Sequence, residues 1–367
     1  MATDEVLVKD CGPTAVVTLN RPRALNSLNT NMVERLFDLY KAWDASESPR
    51  LVVLKGAGEK AFCAGGDVRQ VVDDINSGNS AEGSRFFGKE YRLNFLLSQL
   101  SKPHVAFMDG VTMGGGAGVS IHGAFRVATE RTLFAMPELA IGLFPDIGSS
   151  YFLSRLPGQL GLYLALTGTR LRGAEVRDAG LATHLVRSER LPEVEEALVG
   201  LGEDAGDPAR VDGLLKRFEL GERSDVLGRL GDVNDVFGRE TLVEVLGALQ
   251  ARAEADEWAR EALAAIRRGS PFSAHVAFEE LRRGSRMRLS ECLEMEYALA
   301  KRFTEGYGDF AEGVRALLID KDNNAKWRHP RIEDVPPEEV RAVFEPLGPG
   351  EQLGLREREG VPLRSAM

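Results

Sequence analysis

An α/β core followed by a mostly helical C-terminal region is the fold class this sequence predicts, on three observations. Short β-branched runs alternate with helix-period segments up to about residue 190. Beyond that point few strand signals remain, while helical periodicity continues. The 367 residues, 43% hydrophobic and 28% charged, have ordinary globular composition and supply enough apolar surface for two packed units. The expected division is a core over 1–195 and a mostly helical region over 196–367 that completes the fold.

The elements follow in order. TAVVTLN at 14–20 is short and β-branched, and reads as a strand. NTNMVERLFDLYKAW at 29–43 places Met32, Leu36, Leu39 and Trp43 at helical spacing behind Asn29, a candidate N-cap. LVVL at 51–54 and HVAFM at 104–108 read as buried strands, the second followed by a glycine-rich turn. FRVA at 125–128 and TLFAM at 132–136 read as further strands, with helical segments between, notably 86–100 and 158–167. Past residue 190 the helical stretches are 193–201, 240–266 and 290–302, with DAGDPAR at 204–210 as a connection. There is no internal repeat and no low-complexity tract.

The formal net charge of -10 argues against a nucleic-acid partner, while leaving room for a small basic pocket that takes an anionic ligand. Cys11, Cys63 and Cys292 are far apart and form no CxxC, which argues against a disulfide framework or zinc knuckle and for a reducing compartment. The histidines, His104, His122, His184, His275 and His329, form no ligand-spaced pair and no HExxH occurs, so no metal site is expected. No apolar run has the length of a membrane span, so no membrane partner is expected. The opening MATDEVLVKD is neither signal-like nor transit-like, and the closing Ser-Ala-Met lacks the basic middle residue of the Ser-Lys-Leu address.

MGGGAGVSIHG at 113–123 is the first stretch with chemical content. Consecutive glycines after a strand, then an apolar run, suggest a helix N-terminus whose free N–H groups bind an anion or polarise a carbonyl. A tight turn with close helix–sheet packing is the plain alternative. GxGxxG fails at Val119, no GK[ST] follows, and Ser120 lies in no GxSxG. AFCAGGDV at 61–68 holds a second glycine pair beyond a strand, whose N–H groups would supply the other half of an oxyanion hole. Cys63 there reads as a buried thiol, since no histidine near it in sequence would activate it. MPELAIGLFPDIG at 136–148 sets Glu138 and Asp146 in apolar surroundings, each after a proline. Taken singly, Glu138 is a helix-start carboxylate and Asp146 a turn residue. Taken with the two glycine turns, the pair makes a coherent acyl-transfer site. His122 reads as a satisfied core histidine and Glu90, in FGKEYRLN at 87–94, as a solvated helical residue.

NRPRALNSLN at 20–29, AFCAGGDV at 61–68 and MGGGAGVS at 113–120 resemble, in order, three core motifs of the crotonase (enoyl-CoA hydratase/isomerase) superfamily. The likeness covers nearly the whole chain, least clearly 200–260 and after 340. Its closest stretches, 113–158 and DFAEGVRALLIDKDNNAKW at 309–327, are similar to the thioester-hydrolase branch, above all its plant-type members. The resemblance implies a crotonase-like spiral ββα core, an acyl-CoA substrate, and an oxyanion hole made by the backbone N–H groups of Gly66 and Gly115. It implies Ala24 and Leu25 beside the adenine and pantetheine path, Asp67 on the same CoA-side turn, and Glu90, Glu138 and Asp146 in the active site. Hydratases use two glutamates. One matches Glu138, but the other falls at Gly118, which has no side chain, and Asp146 stands where hydratases typically have glycine. That departure implies hydrolysis of 3-hydroxyisobutyryl-CoA to 3-hydroxyisobutyrate and CoA, a reaction of valine degradation, with 3-hydroxypropionyl-CoA as a further candidate. Coenzyme A is then part of the substrate, and no cofactor is expected. Isomerisation or hydration of an enoyl-CoA, and non-catalytic acyl-CoA binding, are the alternatives. The chain is expected to be soluble and intracellular; its compartment stays open, the resemblance pointing to mitochondria or peroxisomes. The sequence does not give the oligomeric state: the resemblance suggests a homo-oligomer, but the helical C-terminal region could cover the usual contact face.

Overall fold

The computed structural model describes residues 4–358. The first three residues and the closing Ser-Ala-Met, which bear on the targeting expectation, lie outside the described residues. The strands are β1 (Val6–Cys11), β2 (Thr14–Leu19), β3 (Leu51–Gly56), β4 (Ala61–Cys63), β5 (His104–Met108), β6 (Val111–Met113), β7 (Phe125–Ala128), β8 (Leu133–Ala135), β9 (Leu171–Arg172) and β10 (His184–Leu185). They form a six-stranded sheet in the order β1-β2-β3-β5-β7-β10 and a four-stranded sheet in the order β4-β6-β8-β9. Consecutive strands β3 and β4, β5 and β6, and β7 and β8 go to different sheets, so the chain winds as a spiral that adds one parallel strand to each sheet per turn. The step from β5 to β6 passes through Gly110 at φ +90°, where a Cβ would lie 2.5 Å from the Lys60 carbonyl oxygen. Only glycine fits that corner.

The larger sheet is covered on both faces, which is why its inner strands read as continuous apolar runs. Side chains alternate between the faces. Val52, Leu54, Ala106 and Met108 join the main core, while Leu51, Val53, Val105 and Phe107 join a second cluster with Leu214, Leu215 and Phe218 from the C-terminal region. Helix α1 (Thr30–Asp44) begins as expected, with the Asn29 side chain accepting from the Met32 N–H at 2.9 Å. Then come α2 (Val68–Asn76), α3 (Ser80–Ser98), α4 (Gly115–Ile121) and the single-turn α5 (Ser149–Phe152). The helix Leu289–Thr304 packs along α3, and the helix Pro271–Gly284 packs on α5.

The structure corrects several boundaries. Helix α3 begins at Ser80, ahead of the periodic stretch that starts at 86. The stretch 240–266 is two helices, Leu242–Arg252 and Glu257–Arg268, because Asp256 caps the second by accepting from the Trp258 N–H. The expected connection at 204–210 is a 3₁₀ turn followed by the helix Pro208–Lys216, with Asp207 as its cap and Pro208 in the first turn. Strand β1 gave no strand signal, because as an edge strand it exposes most of its side chains. Among the described residues no helix is long and apolar enough to cross a membrane.

Candidate active site

The two glycine turns meet at one cavity of about 660 Å³. The turn after β4 is fastened to 25–28 by main-chain bonds: Ala64 N–H to Leu25 O (3.0 Å), Leu28 N–H to Gly65 O (2.8 Å) and Asp67 N–H to Leu28 O (2.8 Å). Those bonds leave the Gly66 N–H unused among the described residues. The turn after β6 bends at Gly114, φ +45°, so that Gly115 opens α4 with its own N–H unpaired among the described residues. The two donors are neighbours: a Cβ placed on Gly115 would lie 3.2 Å from the Gly66 nitrogen and 2.2 Å from Glu90 Oε1. Gly116 is glycine for another reason, since its Cβ would strike the Cys63 carbonyl oxygen at 2.1 Å.

Three acids converge beside these donors. Glu138 opens the 3₁₀ turn Glu138–Ile141 after Pro137, and the C-terminal region pins that turn: Ser270 N–H donates to Leu139 O at 3.0 Å, and Asp309 O packs under Gly142. Glu138 Oε1 faces Gly114, and its Oε2 is buried without a hydrogen-bond partner among the described residues. Asp146 accepts from the Tyr91 hydroxyl at 2.8 Å. Glu90 is only 2% exposed, which overturns its reading as a solvated helical residue. It lies on α3 with Oε1 beside Gly115 and Oε2 beside Gly66.

Burial disfavours the charged forms. It pushes Glu138 and Glu90 well above the usual carboxylate range, and the charge of Asp146 adds to each. Burial pushes Asp146 up to about 7, against the pull of the Tyr91 hydrogen bond.

Every site residue expected from the sequence lines this cavity: Glu138, Asp146, Gly66, Gly115, Glu90, Ala24, Leu25 and Asp67. Asp67, however, is occupied by a salt bridge to Arg21 at 2.9 Å, and so braces the turn. Gly118 does not line the cavity. A Cβ there would meet Asn94 Nδ2 at 2.8 Å and the Ile147 Cβ at 3.1 Å, so the space a second glutamate needs is filled. Cys63 is buried and its thiol is pushed up to about 12 by burial, as expected of an inert thiol. His122 is a core histidine, but only half satisfied: Nε2 bonds Ile147 O at 2.7 Å while Nδ1 has no partner among the described residues.

Sequence reasoning missed Tyr91 and the cations Arg21, Arg23, Arg69 and Lys321, all but Tyr91 on the cavity lining. The adjacent arginines of NRPRALN were a usable signal; nothing local marked Tyr91 or Lys321. Lys321 follows a π-turn, Arg315–Ile319, that brings Leu317 and Leu318 to the same rim. A larger groove of about 1120 Å³ lies elsewhere, beside Arg282, Arg286 and Arg356, and none of the expected site residues reaches it. Among the described residues no group of three or more His, Cys, Asp or Glu is arranged to hold a metal ion.

The sequence model of the enoyl-CoA hydratase/isomerase family matches residues 14–344. The 3-hydroxyisobutyryl-CoA hydrolase 1 of Arabidopsis thaliana is 43% identical over 365 residues, 98% of this chain and 96% of that protein. The mitochondrial 3-hydroxyisobutyryl-CoA hydrolase of Homo sapiens is 42% identical over 353 residues, 95% of this chain and 90% of that protein. Among solved structures, an enoyl-CoA hydratase from Rhodobacter sphaeroides superposes with a TM-score of 0.88 at 35% identity, covering 96% of this chain and 100% of that one. A carnitinyl-CoA dehydratase from Mycobacterium thermoresistibile gives a TM-score of 0.88 at 36% identity, covering 96% and 99%.

Proposed function

The chain belongs to the enoyl-CoA hydratase/isomerase family, and we propose that within it this protein hydrolyses the thioester of 3-hydroxyisobutyryl-CoA, releasing 3-hydroxyisobutyrate and CoA in valine degradation. One observation carries the proposal: Glu138 and Asp146 share a cavity with two neighbouring free N–H groups, while Gly118 lies outside it and is walled off by Asn94 and Ile147. The hydrolase relatives support the substrate.

The thioester carbonyl would accept from the Gly66 and Gly115 N–H groups, which stabilise the negative oxygen as the carbon becomes tetrahedral. Glu138, as the carboxylate, supplies the attack by one of two routes. It adds to the carbon itself, giving an anhydride that water then opens, or it takes the proton from a water that adds directly. In both, the carbon–sulfur bond breaks, the CoA thiolate takes up a proton, and water's oxygen ends in the acid. Asp146, braced by Tyr91, would hold the substrate's 3-hydroxyl or the hydrolytic water. Arg23, Arg69 and Lys321 at the rim suit the phosphates of CoA, while Arg21 is committed to Asp67, Glu5 and the Ser27 carbonyl. Coenzyme A enters as part of the substrate, and no step calls for a resident cofactor. The mitochondrial relatives favour a mitochondrial compartment for this chain.

Hydration is the second reading, favoured by the names of the structural neighbours. The deciding experiment follows thiol release from 3-hydroxyisobutyryl-CoA and hydration of crotonyl-CoA on one preparation. Thiol release without hydration is expected. Hydration without thiol release would overturn the proposal, and tight acyl-CoA binding without either would mark a non-catalytic binder.

A further inference from the structure

The turn that carries Asp146 is held in an unfavourable shape. Ile147, β-branched and fully buried, has φ +59°, and Gly148 follows at φ +82°. A β-branched residue in the left-handed region is an outlier that persists only where its surroundings over-determine it. Gly148 is confined as well, because a Cβ there would meet the His122 ring at 2.7 Å.

Two buried side chains provide the determination. From one side His122 Nε2 bonds the Ile147 carbonyl oxygen at 2.7 Å. From the other side comes Glu296, fully buried on the helix Leu289–Thr304. Its Oε2 accepts from the Gly148 N–H at 2.6 Å, and its Oε1 accepts from the Ser150 N–H at 3.0 Å and the Ser150 hydroxyl at 2.5 Å. Both carboxylate oxygens are therefore committed to the two residues that flank Ser149, immediately downstream of the strained Ile147. No other charged side chain bonds this main chain among the described residues. Glu296 itself does not line the cavity.

We propose that Glu296 is a positioning residue for Asp146: it locks the turn Asp146–Ser150 in its strained form and so aims the Asp146 carboxylate at the cavity and at Tyr91. The inference rests on the hydrolase reading above. An amide in place of Glu296 cannot do the same work, since its NH₂ would face one of the two main-chain N–H groups and break that bond. A carboxylate displaced by about 1 Å costs on the order of 10²-fold in turnover.

The test is a double-mutant cycle of Glu296→Gln and Asp146→Asn, read by thiol release as kcat and KM and by thermal melting. Glu296→Gln is expected to lower kcat on the order of 10²-fold with KM little changed, and to add no further loss in the Asp146→Asn background. A mere helix cap predicts multiplicative losses, or a lower melting temperature with unchanged kcat; either result overturns the proposal. If Glu296→Gln is recovered unfolded, Ser150→Ala removes one donor alone, and it must lower kcat in the parent but not beside Asp146→Asn. Crystallography of the variant reads the same point without turnover. Asp146 withdrawn from the Tyr91 hydroxyl supports the positioning role, and Asp146 unmoved refutes it. A parent chain that releases no thiol would sink the hydrolase reading while leaving that structural outcome decisive for the turn.

Discussion

Replacing Gly115 with alanine tests the oxyanion hole at the level of one methyl group. The added Cβ would lie 3.2 Å from the Gly66 nitrogen, next to the Gly115 nitrogen itself, which is where an oxygen bonded to both N–H groups belongs. The methyl therefore excludes the carbonyl oxygen from both donors. Losing a single donor of this kind costs roughly 2.7–4 kcal/mol, or about 10²–10³ in kcat, and blocking both should cost at least that. The fold should survive. Gly115 is not among the residues at positive φ, the one atom within 3.0 Å of the added Cβ is the carboxylate end of the Glu90 side chain, which must turn aside, and alanine in the first turn of α4 is favoured over glycine by up to about 1 kcal/mol. Its neighbour supplies the contrast. In Gly116→Ala the Cβ meets the Cys63 carbonyl oxygen at 2.1 Å, main chain that cannot swing away, so that variant should lose stability by roughly 1–3 kcal/mol. Thiol release and a thermal melt on both proteins decide the matter. Gly115→Ala should be folded and nearly inactive, and Gly116→Ala should melt early. A Gly115→Ala protein within about threefold of the parent in kcat would show that the carbonyl is not bound there and would refute the argument.

The acids come next. Glu138→Gln and Asp146→Asn should each nearly abolish turnover while melting no lower than the parent, since each removes a buried charge without an ion partner; substantial activity in folded Glu138→Gln would remove that glutamate from the mechanism. Burial, and after it the charge of Asp146, places the ionisation of Glu138 well above the usual range, so kcat/KM should climb with pH on a limb above the ordinary carboxylate range. Residual activity of Asp146→Asn should show that limb at lower pH, because deleting a neighbouring negative charge eases ionisation of Glu138. Arg69→Ala and Lys321→Ala should raise KM for CoA esters several-fold, less so at high salt, with kcat unchanged; a loss confined to kcat would exclude CoA-phosphate contact.

What the sequence made legible was short-range. The apolar runs at Leu51–Leu54 and His104–Met108, the Asn29 cap, and the two glycine turns all lie within a few residues of the features that signal them. The pairing of Gly66 with Gly115 became legible through family resemblance, because the spiral that joins their sheets is a long-range property. Glu90 shows the limit most plainly. In FGKEYRLN it has charged neighbours on both sides, and only the packing of α3 between the glycine turns and the helix Leu289–Thr304 buries it. Tyr91 was missed for the same reason, as its partner Asp146 lies far along the chain. The split of 240–266 was missed because the Asp256 cap stands in a stretch rich in alanine and glutamate, whose helix propensity hides the break.

Five of the buried carboxyls, Glu90, Glu138, Asp146, Glu280 and Glu296, have no ion partner among the described residues, where the one buried lysine or arginine, Arg126, directs its donors to the carbonyls of Leu181, Ile121 and Gly123. They cannot all be ionised together, and the structure ranks them. Glu280 has neither oxygen bonded among the described residues, and burial, then the charges of Glu296, Asp146 and Glu138, push it well above the usual range. Asp146, helped by Tyr91, ionises near neutrality. The charge of Asp146 raises Glu138, whereas Glu280 is not among the groups that shift it, and the two should separate by experiment. A carboxyl raised in the folded state stabilises below its ordinary value of 4.5 and loses that contribution as pH climbs through its folded value. Glu280→Gln should thus match the parent in melting temperature near pH 4 and exceed it increasingly above neutrality, with the activity limb unmoved. A limb displaced to lower pH by Glu280→Gln would mean that Glu280 is ionised in the folded protein. In that case the basicity of Glu138 would depend on the whole buried cluster rather than on Asp146.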